Sequence, residues 1–431
     1  MTETTSGCTR DACPTPEQLC AARAQRFLDA AQLKQPDRIP LLLRLGHLVA
    51  ELAGVTRQEL YENPEKAQAA LVSAALRFQP DSISGLAGSP GPSRVLGDRS
   101  TKWPGYGLGP DGSFQYAEQD FMKPEDYDDF IDDPSDWSVR TLLPRVFSEL
   151  EGLSALPPLA LAALGFFGLV GNLPTLAEPE VAKALEALAQ AARLQVQVVA
   201  QDKIAVAKLA AVGFPVFPFP GPYVAAPFDF MSDTLRGMRG IFTDLRRCPD
   251  KLLAAEEKAS RVLLRSTLLS TRALRAAGGK AYAHFPLHRG SDEFMSIAQF
   301  ERFYWPQLKA LFLRLIENDI TPFVFYEGIW DKRLQYLTEL PKGKTIGYFH
   351  NTDIFRAKEV LRDTMCIMGG MPVSLLLAGT ETEVRERTKQ VCKACGQGGG
   401  FIMASAVGEL EGCKPELVQT WVDATREFGG Y

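Results

Sequence analysis

The sequence predicts an α/β chain folded as a (β/α)8 TIM barrel, with an N-terminal helical extension and a large insertion between the second and third strands. Three observations carry this. Short apolar runs ending in glycine or a polar residue alternate with charged segments of helical period. The alternation is clearest over residues 345–408, in the segments Thr345–Asp353, Met365–Val384 and Gly398–Gly408. Eight such runs occur along the chain, each followed by helical sequence, as a closed barrel requires. Loops after barrel strands carry the chemistry, and in this stretch they begin at His350, Gly369 and Ser405.

Residues 1–15 read as a disordered tail, and 16–431 as a single barrel domain. Thr15 is a good N-cap, Pro16 suits the first turn and Gln18 can close a capping box, which predicts a helix to about Leu33. Gln35–Gly46 is a continuous apolar run bounded by Pro and Gly, as expected of a buried parallel strand. Residues 47–78 read as helices punctuated by Gly54 and Asn63-Pro64, and Pro80–Ala87 as the second strand. Residues 88–212 are too long for an ordinary βα connection and are assigned as a cap over the barrel. This insertion opens with a Gly- and Pro-rich part in which Asp111-Gly112 signals a hairpin. The acidic segment Pro124–Pro134 reads as a solvated helix start, and a long amphipathic helix runs from about Pro179 to Val198. Leu153–Val170, the longest apolar stretch, is interrupted by Pro and Gly and reads as core. The third strand is assigned to Gly213–Pro220, the fourth to Ala281–His288 and the fifth to Thr321–Gly328.

Of 431 residues, 46% are apolar and 23% charged, the composition of an ordinary globular chain. The net charge is -5 with no basic stripe, which argues against nucleic acid as a partner. No uninterrupted apolar run is long enough to span a membrane, and no basic-then-apolar leader is present, so a cytoplasmic location is expected. Eight cysteines occur, and Cys392-Lys-Ala-Cys395 is a lone pair on a predicted helix. A structural zinc site usually needs four ligands, so these read as helix thiols, and disulfides are not expected inside a cell.

Three of the four histidines fall at or near strand ends: His284 and His288 on the fourth strand, His350 on the sixth. Glu327 ends the fifth. Neighbouring strand ends bring His288, Glu327 and His350 together as candidate catalytic residues, in an acid/base cluster or as ligands of a zinc ion. The alternative is that each histidine bonds locally and the carboxylates pair with Arg289 and Arg333. His284 would lie deeper than His288. Around the cluster, His47, Phe228, Tyr326, Trp330 and Arg289 are the expected substrate-binding residues. Their aromatic weight suits a small, flat, mainly apolar molecule.

Several segments resemble the uroporphyrinogen decarboxylase superfamily. They are Ala226–Gly237 (A-P-F-D-F-M-S-D-T-L-R-G), His288–Pro306, Gly369–Val384 and the Q-P-D-R-I-P that begins at Gln35. The superfamily contains porphyrinogen decarboxylases and corrinoid-dependent methyltransferases. The decarboxylases carry an R-Q-A-G-R-Y stretch near the first strand, where this chain offers only Arg44 in L-L-L-R-L-G-H, too little for a highly anionic porphyrinogen. The thiol-methylating branch carries zinc-binding cysteines after the fifth and eighth strands. Here those places read F-V-F-Y-E-G and A-S-A-V-G. The resemblance therefore implies a methyltransferase that moves a methyl group from a small donor, such as a methoxylated aromatic, to the cobalt of a cobamide. No D-x-H-x-x-G corrinoid motif is present, so the cobamide would arrive on a partner corrinoid protein. Glu327, if buried and raised in pKa, would protonate the leaving oxygen. The competing reading is a cofactor-independent decarboxylase or lyase. The sequence leaves the oligomeric state open, a homodimer included.

Overall fold

Eight parallel strand passages follow one another around a ring. In the computed structural model, described over residues 14–84, 88–406 and 409–431, five strands form one parallel sheet. They are Ala281–Leu287, Ile320–Tyr326, Ile346–Phe349, Cys366–Met371 and Phe401–Ser405, each paired with the next. Leu42–Leu43 pairs in parallel with Ser82–Ile83. Parallel bridges Leu41–Met403, Ile83–Val216 and Tyr223–His284 link these two sheets and the third passage. The arrangement is that of an α/β barrel, and the helices between strands face its outside.

The third passage departs from the expected strand. Pro215, Pro218, Pro220 and Pro222 remove the N–H groups a ladder needs. Only the bridges at Val216 and Tyr223 remain, and the prolines act as acceptors instead. The backbone N–H groups of Tyr282 and His284 donate to the carbonyls of Pro220 and Pro222, each at 2.9 Å. Gly221 is required here, since a Cβ would lie 1.8 Å from the Tyr282 carbonyl oxygen. Inside the ring, Phe219, Tyr282, Phe323, Tyr348, Met368 and Ile402 pack as one cluster.

The N-terminal helix is Pro16–Ala31, with the Thr15–Gln18 capping box formed in full. Its Phe27 packs edge-on against Phe219, inside the barrel cluster. Residues 48–78 form three helices, with Gly54 in the left-handed conformation at the end of the first and Asn63 capping the last. The tail expected over residues 1–15 lies almost wholly outside the described residues, as do Gly85–Ala87 of the second run and Val407–Gly408 of the eighth.

Within residues 88–212, Thr101–Lys102 pairs antiparallel with Gln115–Tyr116, the hairpin expected around Asp111-Gly112. The long helix runs Pro179–Ala211, a full 33 residues. The acidic segment does start a helix, Tyr127–Asp132, with Glu125, Asp128, Asp129, Asp132 and Asp133 exposed; of its acidic residues Asp126 alone is buried, accepting from Arg145 and the Lys123 N–H. One expectation fails. Leu153–Val170 is not core beyond Leu156: Leu159, Leu164, Phe166 and Phe167 are all exposed. No helix among the described residues is long and apolar enough to cross a membrane.

Candidate functional site

The ionisable cluster forms where the helix after the third passage meets the end of the fourth strand. That helix begins at Pro227–Asp229, passes through a π-helical turn, Phe230–Arg236, and continues to Arg247. Asp229 and Asp233, four residues apart, share one face. Bare carboxylates at that spacing repel; here the fourth strand end answers them. The backbone N–H groups of His288 and Arg289 donate to Asp229 at 2.9 and 3.1 Å, and Tyr304 Oη donates to it at 2.7 Å. Tyr304 stands in a second π-helical turn, Phe300–Tyr304. Such turns re-aim side chains and recur at functional sites.

His288 Nδ1 lies 2.5 Å from Asp233 Oδ2, and its Nε2 lies 3.6 Å from Glu327 Oε2. Burial opposes the positive charge on this ring. The Asp233 hydrogen bond and the charges of Asp229, Asp233 and Glu327 outweigh burial and raise the His288 pKa to about 9. The ring is therefore an imidazolium at neutral pH. Asp233 is held below its ordinary value: its burial is overcome by the His288 bond and charge and by Arg289. Asp229 is completely enclosed, and burial with the Asp233 charge pushes it up to about 7. Arg289 closes the cluster, donating from Nε to Asp233 and from Nη2 to Glu118, both at 2.9 Å. Glu118 and Tyr116, whose hydroxyl donates to the Asp233 carbonyl at 2.9 Å, come from the insertion.

These groups face a cavity of about 490 Å³. Phe121, Leu142, Val146 and Phe147 of the insertion form its apolar wall, and Asp229, Asp233, His288 and Arg289 form its polar edge. The size suits a small organic molecule.

The expected residues divide. His288 and Glu327 are brought together and Arg289 joins them. His350 faces another cavity, beside Asp353, Pro372 and Arg387, and its Nδ1 accepts from the Gly328 N–H at 3.2 Å. Glu327 is not the buried acid expected: its side chain is 48% exposed, because it follows the last strand residue and turns outward. Phe228, Tyr326 and Trp330 are core rather than cavity lining. Each is at most 1% exposed, and Tyr326 lies between Phe349 and Trp330. His284 is buried among Phe217, Tyr223 and Phe323. Its Nε2 bonds the Phe219 carbonyl at 2.8 Å, and burial lowers its pKa to about 4, so it stays neutral. Cys392 and Cys395 are buried free thiols whose pKa burial pushes up to about 12.

The donors of His288, Glu327 and His350 do not form a three-ligand set, and the site does not fit zinc on that account. Among the described residues one such set occurs, His47, Glu409 and Glu411, within 4.8 Å. Two of its three residues are already engaged. His47 meets Tyr61 Oη at 2.9 Å and Glu411 at 3.3 Å, and Glu411 is held by Arg57 and Ser113. His47 is thus tied into a polar network between the first and eighth strand ends and does not line the His288 cavity. Asp229, Asp233 and Tyr304 were not singled out from the sequence. The D-x-x-x-D pair in A-P-F-D-F-M-S-D was the available signal.

Behind Asp229 lies Glu256 on the helix Pro249–Ser270. It is fully buried, with neither carboxyl oxygen hydrogen-bonded. Burial, then the Asp229 charge, raises its pKa well above the ordinary value. A carboxyl raised in the fold costs stability once pH exceeds 4.5, where the unfolded chain gives up its proton. Glu256→Gln should therefore gain on the wild type by about 1.4 kcal/mol per pH unit between the two pKa values. It should not gain below that range. Urea midpoints at pH 4 and pH 7 check this, and an equal difference at both would show that no proton is involved.

A parallel barrel with a charged His–Asp cluster at the carboxyl ends of its strands defines the class. The chain belongs to the uroporphyrinogen decarboxylase (URO-D) family, whose model matches residues 170–428. A solved methyltransferase from Methanosarcina mazei has a similar fold, with a TM-score of 0.58 at 15% identity over 94% of this chain and 98% of that one. No curated protein matches the chain by sequence.

Proposed function

We propose that this protein is a methyltransferase that moves a methyl group from a small, mainly apolar donor to the cobalt of a cobamide carried by a separate corrinoid protein. A donor with an oxygen leaving group, such as a methoxylated aromatic, fits best. The observation that carries the reading is the His288 imidazolium, fixed by Asp233 at 2.5 Å at the edge of an apolar cavity. The similar fold of the Methanosarcina mazei methyltransferase supports the reaction class.

A cobamide brought by the partner would, when docked, supply the nucleophile for the methyl carbon. As the methyl–oxygen bond breaks, its electron pair stays on oxygen. His288, at the polar edge of the cavity, gives that oxygen its proton, while Asp233 holds the ring and stabilises its charged form before transfer. Glu327, exposed and 3.6 Å from the same nitrogen, returns a proton from solvent. Arg289 keeps Asp233 ionised.

The test is direct. The protein is mixed with cob(I)alamin and a panel of methyl ethers, and the corrinoid spectrum is followed. A donor-dependent change to the methylated spectrum is expected. Glu327→Gln should slow the reaction by about tenfold, less than loss of a general acid, because it removes the proton return and leaves the acid in place. No transfer with any donor, beside carbon dioxide release from a carboxylated substrate, would replace this reading by a decarboxylase.

A further inference from the structure

The carboxyl ends of the barrel strands carry a second cavity, which the proposed chemistry does not use. It measures about 520 Å³ and is lined from the sixth, seventh and eighth strand ends. It shares no lining residue with the cavity at His288. Ile354, Phe355, Pro372 and Val373 give it an apolar wall. His350, Asp353 and Arg387 line it too, with Asn351 and Ser374 at exposed positions.

Arg387 stands where packing alone would place an apolar residue. The helix Glu381–Cys395 buries Val384, Thr388, Val391, Cys392 and Cys395, the spacing of an inward face. Arg387 falls three residues after Val384 and four before Val391, on that same face. Its Nε donates to the Gly370 carbonyl at 3.0 Å, and its guanidinium lies 4.9 Å from the centre of the Phe355 ring. A guanidinium carries more N–H donors than these contacts use, and among the described residues its Nη groups have no hydrogen bond or ion pair. Burial lowers its pKa, and the Asp353 charge opposes this without an ion pair between the two. A cation taken out of water is ordinarily matched by a counter-ion. His350 adds a second donor. Its Nδ1 accepts the Gly328 N–H at 3.2 Å, so the ring hydrogen sits on Nε2, which has no protein acceptor among the described residues.

We infer that this cavity binds a small monocarboxylate with an apolar body, the carboxylate held by Arg387 and His350 and the body packed on the Phe355 and Val373 wall. Three features select this class. The planar fork of an arginine matches a carboxylate. The apolar wall is left uncovered by a simple inorganic anion and suits a carbon skeleton. Asp353 places one negative charge in the same cavity, which disfavours a phosphate ester with its nearly double charge. The start of the helix Ile354–Leu361 is not the anchor, because Asp353 already accepts the Phe355 and Arg356 N–H groups at 2.9 and 3.3 Å. A neutral ligand would leave the Arg387 charge unmatched.

Benzoate is titrated into the full-length protein by calorimetry, beside benzamide and benzenephosphonate as neutral and more highly charged molecules of similar shape. Benzoate should bind about tenfold or more tighter than benzamide, and tighter than benzenephosphonate. Arg387→Gln should weaken benzoate by about the same tenfold factor. Asp353→Asn keeps the helix cap, since Asn caps as well as Asp, and removes the repelling charge. It should tighten benzoate, and benzenephosphonate still more, a gain that a purely structural role for these residues would not produce. In NMR titrations benzoate should move the His350 ring resonance and leave that of His288 in place. Should Arg387→Gln not fold, Arg387→Lys is used, which keeps the charge, loses the fork and should weaken benzoate less. Benzoate that fails to bind, binds no better than benzamide, or holds equally to the wild type and the Arg387 variant overturns the inference. So does benzoate that moves the His288 resonance alone, and tighter binding of benzenephosphonate by the wild type overturns the carboxylate class.

Discussion

His288→Gln should lower methyl transfer by about 10²- to 10³-fold while leaving the fold intact. Glutamine can still reach a hydrogen-bond partner, but it has no transferable proton and no charge. The loss should appear in kcat, because a proton delivered to the leaving oxygen is needed only as the bond breaks. The pH dependence gives an independent check. With a His288 pKa of about 9, the acid is present at neutral pH and is lost as pH rises through that value. Wild-type transfer should fall along that limb, and the glutamine variant should show none. Asp233→Asn should move the limb to lower pH, since the Asp233 bond is the largest contribution that raises the histidine. With only four histidines in the chain, the ring can be titrated by NMR, separately from turnover. A His288 resonance that titrates near its ordinary value, or a glutamine variant with wild-type kcat, would take this residue out of the mechanism.

Much of the barrel was legible because strand and helix periods differ and because caps announce themselves. Thr15, Gly54 and Asn63 each did what their chemistry dictates. The third passage was less legible, since an apolar run full of proline has the composition of a strand without its hydrogen bonds. In the candidate site, position along the chain was readable and direction was not. Glu327 and His350 stand at strand ends as expected, yet one turns to solvent and the other to the Gly328 N–H. Tyr326 and Trp330 are aromatic residues near a strand end and still belong to the core. Asp229 and Asp233 escaped notice because their role depends on a π-helical turn and on N–H groups some 55–60 residues away in sequence. Leu153–Val170 misled for a related reason: apolar composition reports what needs covering, not which molecule covers it.

Asp229→Ala should be the most destabilising single change at this site, by about 3–5 kcal/mol. The carboxyl is completely enclosed and accepts from three donors: the His288 N–H, the Arg289 N–H and the Tyr304 hydroxyl. Alanine leaves all three without a partner, and an unsatisfied buried donor costs about 1–3 kcal/mol. Asn should be milder, at about 1–2 kcal/mol, because it retains one acceptor and the Tyr304 hydroxyl can rotate to accept from the amide. The effect of pH separates the bonds from the charge. Burial and the Asp233 charge raise Asp229 from 3.8 to about 7 in the fold. Across that interval the unfolded chain has already released this proton, so the wild type loses stability with rising pH through this group. Alanine has no proton to lose there. The gap between wild type and Asp229→Ala should therefore be widest near pH 4 and narrow towards pH 7, in urea midpoints taken at matched m-values. A gap that widens with pH would mean that the fold favours the ionised carboxylate, and His288 would then owe its charge to two anions rather than mainly to Asp233.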